Sequence, residues 1–287
     1  RWWLHHSLES LQESLRAAGT PLVIRRGPSR TTLQQLVQET GATAVFWNRL
    51  YEPVVLARDQ AVKLALRAEG IDARSFNSAL LFEPWTIQTQ QGKPYQVFTP
   101  FYRACQSLGD PSRPAATPVA MASGRRQVPT ETLASLALLP AIPWADGLRS
   151  AWNPGEGGAR SLLNAFSAET VAHYAEQRDH PAIAGTSRLS PHLHFGEVSP
   201  RQIWWTVRAA SHGGRAEPYL RQLIWREFAH HLLYHFPHTP SEPLRPEFKA
   251  FPWRRDQQAL RAWQRGRTGF PIVDAGMREL WHTGWMH

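Results

Sequence analysis

The chain has 287 residues, 42% of them hydrophobic, and carries 32 Lys plus Arg against 23 Asp plus Glu, a net charge of +9. This is enough for two domains with cores of their own, or one large one. No apolar run approaches a membrane span, and the first residues lack the order of a secretory signal, so a soluble, cytoplasmic, monomeric protein with no membrane association is expected. The single cysteine, Cys105, excludes an internal disulfide and a cysteine-based zinc site. The basic excess is almost entirely Arg, the side chain that grips phosphate with two prongs. By itself it raises the case for nucleic acid only modestly. A start without Met, and a Trp285-Met286-His287 end that reads as interrupted helix, are read as marks of a fragment lacking both termini.

Taken in order, "SLESLQESLRAAG" predicts a helix, "PLVIRRG" a short buried strand, "TTLQQLVQETG" a helix and "ATAVFWN" a strand. "RDQAVKLALRAEG" then predicts a helix and "IDARSFN" a strand. This alternation specifies an α/β domain over 1–108, a Rossmann-like parallel sheet that is incomplete because its first strand would precede Arg1. Gly19, Gly41 and Gly70 fall where helices stop. Residues 109–158 turn to Pro, Ala, Ser and Gly, as in "GDPSRPAATPVAMASGRRQVP", and read as an interdomain linker. The glycines of "WNPGEGGAR" have no preceding strand and no phosphate-loop spacing, so they read as a flexible helix entry. From 159 to 287 the strand signal disappears, and helices are expected at about 159–178, 191–195, 200–211, 217–236, 256–266 and 271–283. This second, all-α domain holds eleven of the 13 His.

Within it, "GTSRLSPHLHFG" places Thr186, Ser187, Arg188 and Ser190 at a Ser-Pro helix start. Hydroxyls, a guanidinium and free first-turn amides suit a phosphate or diphosphate. Ser190 is expected to cap the first turn. Local sequence alone favours an ordinary capped loop whose Arg makes a salt bridge. In "EPYLRQLIWREFAHHLLYHFP", Leu220, Leu223, Ile224, Phe228, Leu232 and Phe236 form an apolar stripe. Gln222, Trp225, Arg226 and Ala229 share another face, where an indole beside an amide and a guanidinium can stack on a base. A core Trp225 with a carboxylate-paired Arg226 is an equal alternative. His230, His231, His235 and His238 have no carboxylate at ligand spacing and there is no HExxH, so no metal is expected. His192 and His194 read as packing and loop residues. Trp253, in "FPWRRD", is expected near the surface.

"RWWLHHSL", "WNRLYEP", "FTPFYRAC", "RDHPAIAGTSRLSPHLHFGEVSPRQ", "LIWREF", "FPWRRD" and "TGFPIVDAGMRELWHTGWMH" follow one another along the whole chain. Together they closely resemble the photolyase and cryptochrome family, the bacterial DNA photolyases in particular. The resemblance implies an α/β antenna domain and a truncated, all-α FAD-binding domain. It implies light-driven repair of pyrimidine dimers in UV-damaged DNA by electron transfer from reduced FAD, a carbon-carbon lyase reaction. It places Tyr174, Thr186, Ser187, Arg188, Leu189, Ser190, Tyr219 and Gln222 at FAD contacts, and makes Gln222 and Trp253 the catalytic residues. Trp225 matches the tryptophan that packs on the flipped dimer, Gln222 and Arg226 match residues lining the same cavity, and Arg178 matches a DNA-backbone arginine. Trp253 matches the outermost tryptophan of an electron chain. Gln222 stands where many cyclobutane-dimer enzymes have Glu, and Gln at that position is typical of (6-4) photolyases and animal cryptochromes, while Met286 favours the cyclobutane dimer; the position after His287 would arbitrate. A signalling photoreceptor is the alternative function. A second, antenna chromophore is left open, with folate unsupported at Val54 and Val55. A chain of this extent is expected to hold FAD poorly and to lack activity.

Overall fold

Two short strands and three helices build the first part of the computed structural model, which describes residues 1–121, 127–211 and 214–287. Helix α1 (Trp2–Ala17) is followed by α2 (Ser29–Thr40), β1 (Ala44–Asn48), α3 (Pro53–Ala68) and β2 (Asp72–Phe76). Gly41 ends α2 at φ 70°, a left-handed stop that a side chain would strain. The strands pair in parallel, from Ala44 with Asp72 to Asn48 with Phe76, and α3 is the crossover that parallel pairing requires. Val62, Leu66 and Ala73 seal helix to sheet, packed by Val37, Val45 and Trp47. Burying each of the two larger side chains contributes about 1.5–3 kcal/mol.

The segment "PLVIRRG" is not a strand of this sheet: residues 21–27 carry no ladder. Its backbone is bonded all the same, because segment 109–158 supplies partners. The Ile24 amide donates to Thr130 Oγ1 at 2.8 Å, and the Glu131 amide donates to the Ile24 carbonyl at 2.9 Å. Residues 122–126 of that segment lie outside the described residues. It also contains a short helix, α5 (Asp146–Ala151).

Helix α4 (Phe98–Ser107) packs into the helical half, where Phe98, Phe101 and Cys105 join Leu220, Leu223, Ile224 and Phe228 of α10 (Glu217–His235) in the main core. The helix expected over 159–178 is broken. It runs as α6 (Glu156–Ala165), a π-helical turn at Phe166–Thr170, a 3₁₀ turn at Val171–His173 and α7 (Tyr174–Gln177). Next come α8 (Ser190–His194) and α9 (Pro200–Ala210). In α9 the Ser199 hydroxyl accepts from the Gln202 amide while the Gln202 side chain accepts from the Ser199 amide, a reciprocal cap written in "SPRQ". Helices α11 (Gln257–Gln264) and α12 (Pro271–Thr283) complete the element order. The last three residues are not helical: α12 stops at Gly284, φ 72°.

Candidate cofactor loop and nucleic-acid face

Loop 185–190 is held from below by aromatic rings. Phe166 sits in the π-helical turn, Tyr174 opens α7 and Tyr219 lies in the first turn of α10. Their centroids are 4.5 Å (Phe166–Tyr219), 5.1 Å (Tyr174–Tyr219) and 6.0 Å (Phe166–Tyr174) apart. The Tyr219 hydroxyl donates to Ser187 Oγ at 3.0 Å, and burial pushes the Tyr219 pKa up. Gly185 permits the approach: a Cβ there would lie 2.7 Å from both Cβ and the carbonyl oxygen of Gln177. Leu189 anchors the loop, 1% exposed.

Ser190 does not cap α8. Leu189 occupies the cap position without a side-chain bond, and Ser190 is the exposed first residue. The Ser187 hydroxyl turns back on the loop instead, accepting from the Leu189 amide at 3.4 Å. Arg188 has a left-handed backbone, φ 53°, which is uncommon away from glycine and is retained where the surroundings over-determine it. Those surroundings are two indoles: its guanidinium carbon lies 4.5 Å from the Trp152 ring and 4.9 Å from the Trp285 ring. Each contact is worth about 0.5–2 kcal/mol. Its Nε is buried without a hydrogen-bond partner among the described residues. A buried, orphaned donor in a loop of hydroxyls fits an anionic group, which would supply the missing acceptor. Thr186 is half-buried in the same loop.

His192, read from the sequence as a packing residue, is paired with Glu197, to which the sequence reading gave no role. The His192 ring, fully buried, is hydrogen-bonded through Nδ1 to the Glu197 carboxylate, whose other oxygen accepts from Trp3 Nε1 at 2.9 Å. Burial of Glu197 opposes its charge, but hydrogen bonds from His192, Ser7, the Gly155 backbone and Trp3 outweigh that and hold its pKa below the ordinary value. This clasp ties α1 to the turn after α8. Its signal, a His and a Glu five apart around Gly196 at φ 72°, was available in the sequence.

The outer face of α10 divides. Gln222 and Trp225 line an open cavity of about 700 Å³ together with Arg178, Arg221 and Tyr102. Trp225 lies flat on Phe98 of α4, with centroids 3.5 Å apart and planes 7° from parallel, and remains 44% exposed. Arg226 does not line this cavity with Gln222. It donates to the Ala79 carbonyl and borders a separate cavity of about 920 Å³ beside Asn48, Tyr51, Arg160 and His230. A half-buried guanidinium needs an acceptor, and the loop after β2 offers one on that side. Burial lowers its pKa, and its nearest carboxylate, Glu227, is 3.8 Å away.

Glu227 is itself a site that the sequence reading missed. Its Oε2 accepts the amides of Leu81 at 2.9 Å and Phe82 at 3.2 Å, clamping α10 to the loop after β2. Burial pushes its pKa up to about 7 against those bonds and the nearby arginines. His231, also buried, accepts from the Tyr95 amide at 3.1 Å and faces the Pro84 carbonyl; burial and then His235 push its pKa down to about 4. Trp253 is 78% exposed and packs on Phe251, centroids 4.7 Å apart. Among the described residues no helix is long and apolar enough to cross a membrane.

Two family models match: residues 1–120 fit DNA photolyase, and residues 219–287 fit the FAD binding domain of DNA photolyase. A deoxyribodipyrimidine photo-lyase of Agrobacterium fabrum is 43% identical over all of this chain and 60% of its own length. Cryptochrome-1 of Arabidopsis thaliana is 38% identical over all of this chain and 44% of its own. A solved bacterial class III photolyase from Agrobacterium tumefaciens superposes with TM-score 0.95 at 43% identity, covering 100% of this chain and 60% of that one. An archaeal photolyase from Sulfolobus tokodaii, solved with two FAD molecules, gives 0.81 at 26% identity, covering 99% and 60%. The chain belongs to the DNA photolyase and cryptochrome family. It spans about 60% of the length of the photo-lyase from Agrobacterium fabrum.

Proposed function

We propose that the whole protein is a light-driven DNA-repair lyase acting on cyclobutane pyrimidine dimers in UV-damaged DNA. The observation that carries this reading is that α10 bears both halves of the required site. Tyr219 meets the hydroxyl loop on one side, and Trp225 with Gln222 meets an open, arginine-bearing cavity on the other.

In this reading Tyr174, Thr186, Ser187, Arg188, Leu189, Ser190 and Tyr219 hold FAD, the loop taking its diphosphate. Bound there, reduced FAD would supply light-driven one-electron chemistry, the electron lent to the dimer and taken back. The chain's own residues bind and position. Trp225, braced by Phe98, presents an indole to the flipped-out bases, where stacking is worth about 1–3 kcal/mol per base. Gln222, beside it, offers an amide donor and acceptor to the base edges. Arg178 grips the phosphate backbone. Arg226 keeps its place at the Ala79 carbonyl and acts by holding α10 to the loop after β2. Trp253 is the surface tryptophan through which an outside reductant would supply electrons. We assign residues 1–108 to an antenna domain, 109–158 to a linker and 159–287 to the cofactor and lesion domain, in a monomeric, cytoplasmic protein. A second chromophore is compatible with this assignment.

The test is illumination of the full-length protein, loaded with reduced FAD, on duplexes carrying either a cyclobutane dimer or a (6-4) photoproduct. Restoration of the cyclobutane dimer alone is expected. Restoration of the (6-4) lesion would reassign the substrate, and restoration of neither would favour a signalling photoreceptor.

A further inference from the structure

A cluster on α1, made of residues with no role assigned above, has the donors of a transition-metal site. His5 and His6 are adjacent on the helix, and Glu9 lies four residues beyond the first and three beyond the second. At 100° per residue this puts the carboxylate between the two imidazoles around the helix axis. One donor atom from each of the three residues falls within 4.8 Å of the others. His6 Nδ1 and Glu9 Oε2 are hydrogen-bonded to each other at 3.2 Å, a contact that a bound ion would replace. That matches the spacing of about 3.3 Å between two ligands on one tetrahedral zinc ion with bonds of about 2.0–2.1 Å. His5 Nδ1 is buried and has no hydrogen-bond partner among the described residues. The imidazoles are also held: His6 packs edge-on to Trp2 at 4.7 Å, and His5 edge-on to His6 at 5.2 Å.

The geometry points to His5, His6 and Glu9 as a binding site for one borderline divalent cation of the zinc class, with water completing the coordination. Two nitrogens and one oxygen suit zinc over magnesium or calcium, which take all-oxygen sets. The sequence reading expected no metal because it weighed only the histidines of and around α10; the spacing on α1 carries the signal.

The experiment is calorimetric titration of zinc chloride into the full-length protein after chelator treatment. The measurement is repeated on Glu9→Gln, an exposed and nearly isosteric change, on His6→Ala, and on His238→Ala as a control at an exposed histidine elsewhere. One equivalent should bind with micromolar affinity and raise the thermal midpoint of the parent and of His238→Ala. Affinity should fall at least about tenfold, 1.4 kcal/mol, in Glu9→Gln and His6→Ala. Absence of binding in the parent, or equal binding in Glu9→Gln and the parent, would overturn the site.

Discussion

Tyr219 donates its phenolic hydrogen to Ser187 Oγ at 3.0 Å, joining the first turn of α10 to loop 185–190 across 32 residues of sequence. Tyr219→Phe keeps the ring against Phe166 and Tyr174 and removes only this bond. A buried hydrogen bond is worth about 0.5–1.5 kcal/mol. Urea unfolding of the variant should show a loss of that size, with a faster release of FAD from the full-length protein. Unchanged stability and retention would remove the bond from the account of the loop.

Gly185 is the point where the same loop packs closest on its neighbour. Alanine there would set its Cβ 2.7 Å from Gln177, whose backbone sits at the end of α7. Overpacking of this kind costs about 1–3 kcal/mol. Gly185→Ala should therefore be less stable in urea and recover with less FAD. Gly157→Ala serves as the comparison, because a Cβ there meets nothing within 4 Å.

Much of this arrangement is legible in the sequence, for physical reasons that differ by element. Helices α1–α3 and α10 show through the spacing of their apolar residues, and β1 through a short apolar run closed by turn residues. The segment "PLVIRRG" misleads because a short apolar run becomes a strand only if a neighbour offers a ladder. Here the neighbours are Thr130 and Glu131 of a distant segment. Arg226 misleads for a similar reason: helical spacing fixes where its Cα lies, but the Ala79 carbonyl decides where its guanidinium goes. Ser190 follows the statistics of Ser-Pro caps while Leu189 takes the position. The buried pair His192–Glu197 was within reach, since a His and a Glu flanking a turn glycine can close on each other.

Glu227 predicts a pH dependence. Its folded pKa, about 7, stands above the ordinary carboxyl value of 4.5, so the folded state holds its proton more tightly than the unfolded state does. Its contribution to stability is therefore full below about pH 4.5 and is lost as pH rises through 7, an effect of up to about 3 kcal/mol. Glu227→Gln keeps an acceptor for the Leu81 and Phe82 amides and has no proton to lose. The stability of the variant relative to the parent should rise between pH 5 and pH 8, read from urea midpoints at each pH. A difference independent of pH would place the titration elsewhere.

In the proposed function α10 carries cofactor contacts and lesion contacts at different places, with Trp225 at the lesion. The most direct test of this arrangement is the affinity of full-length Trp225→Ala for a duplex carrying one cyclobutane dimer, measured alongside flavin content by absorbance. Flavin content should be unchanged and lesion binding weakened by about 1–3 kcal/mol, roughly fivefold to 150-fold. Parent-like lesion affinity in a protein that keeps its flavin would contradict that arrangement.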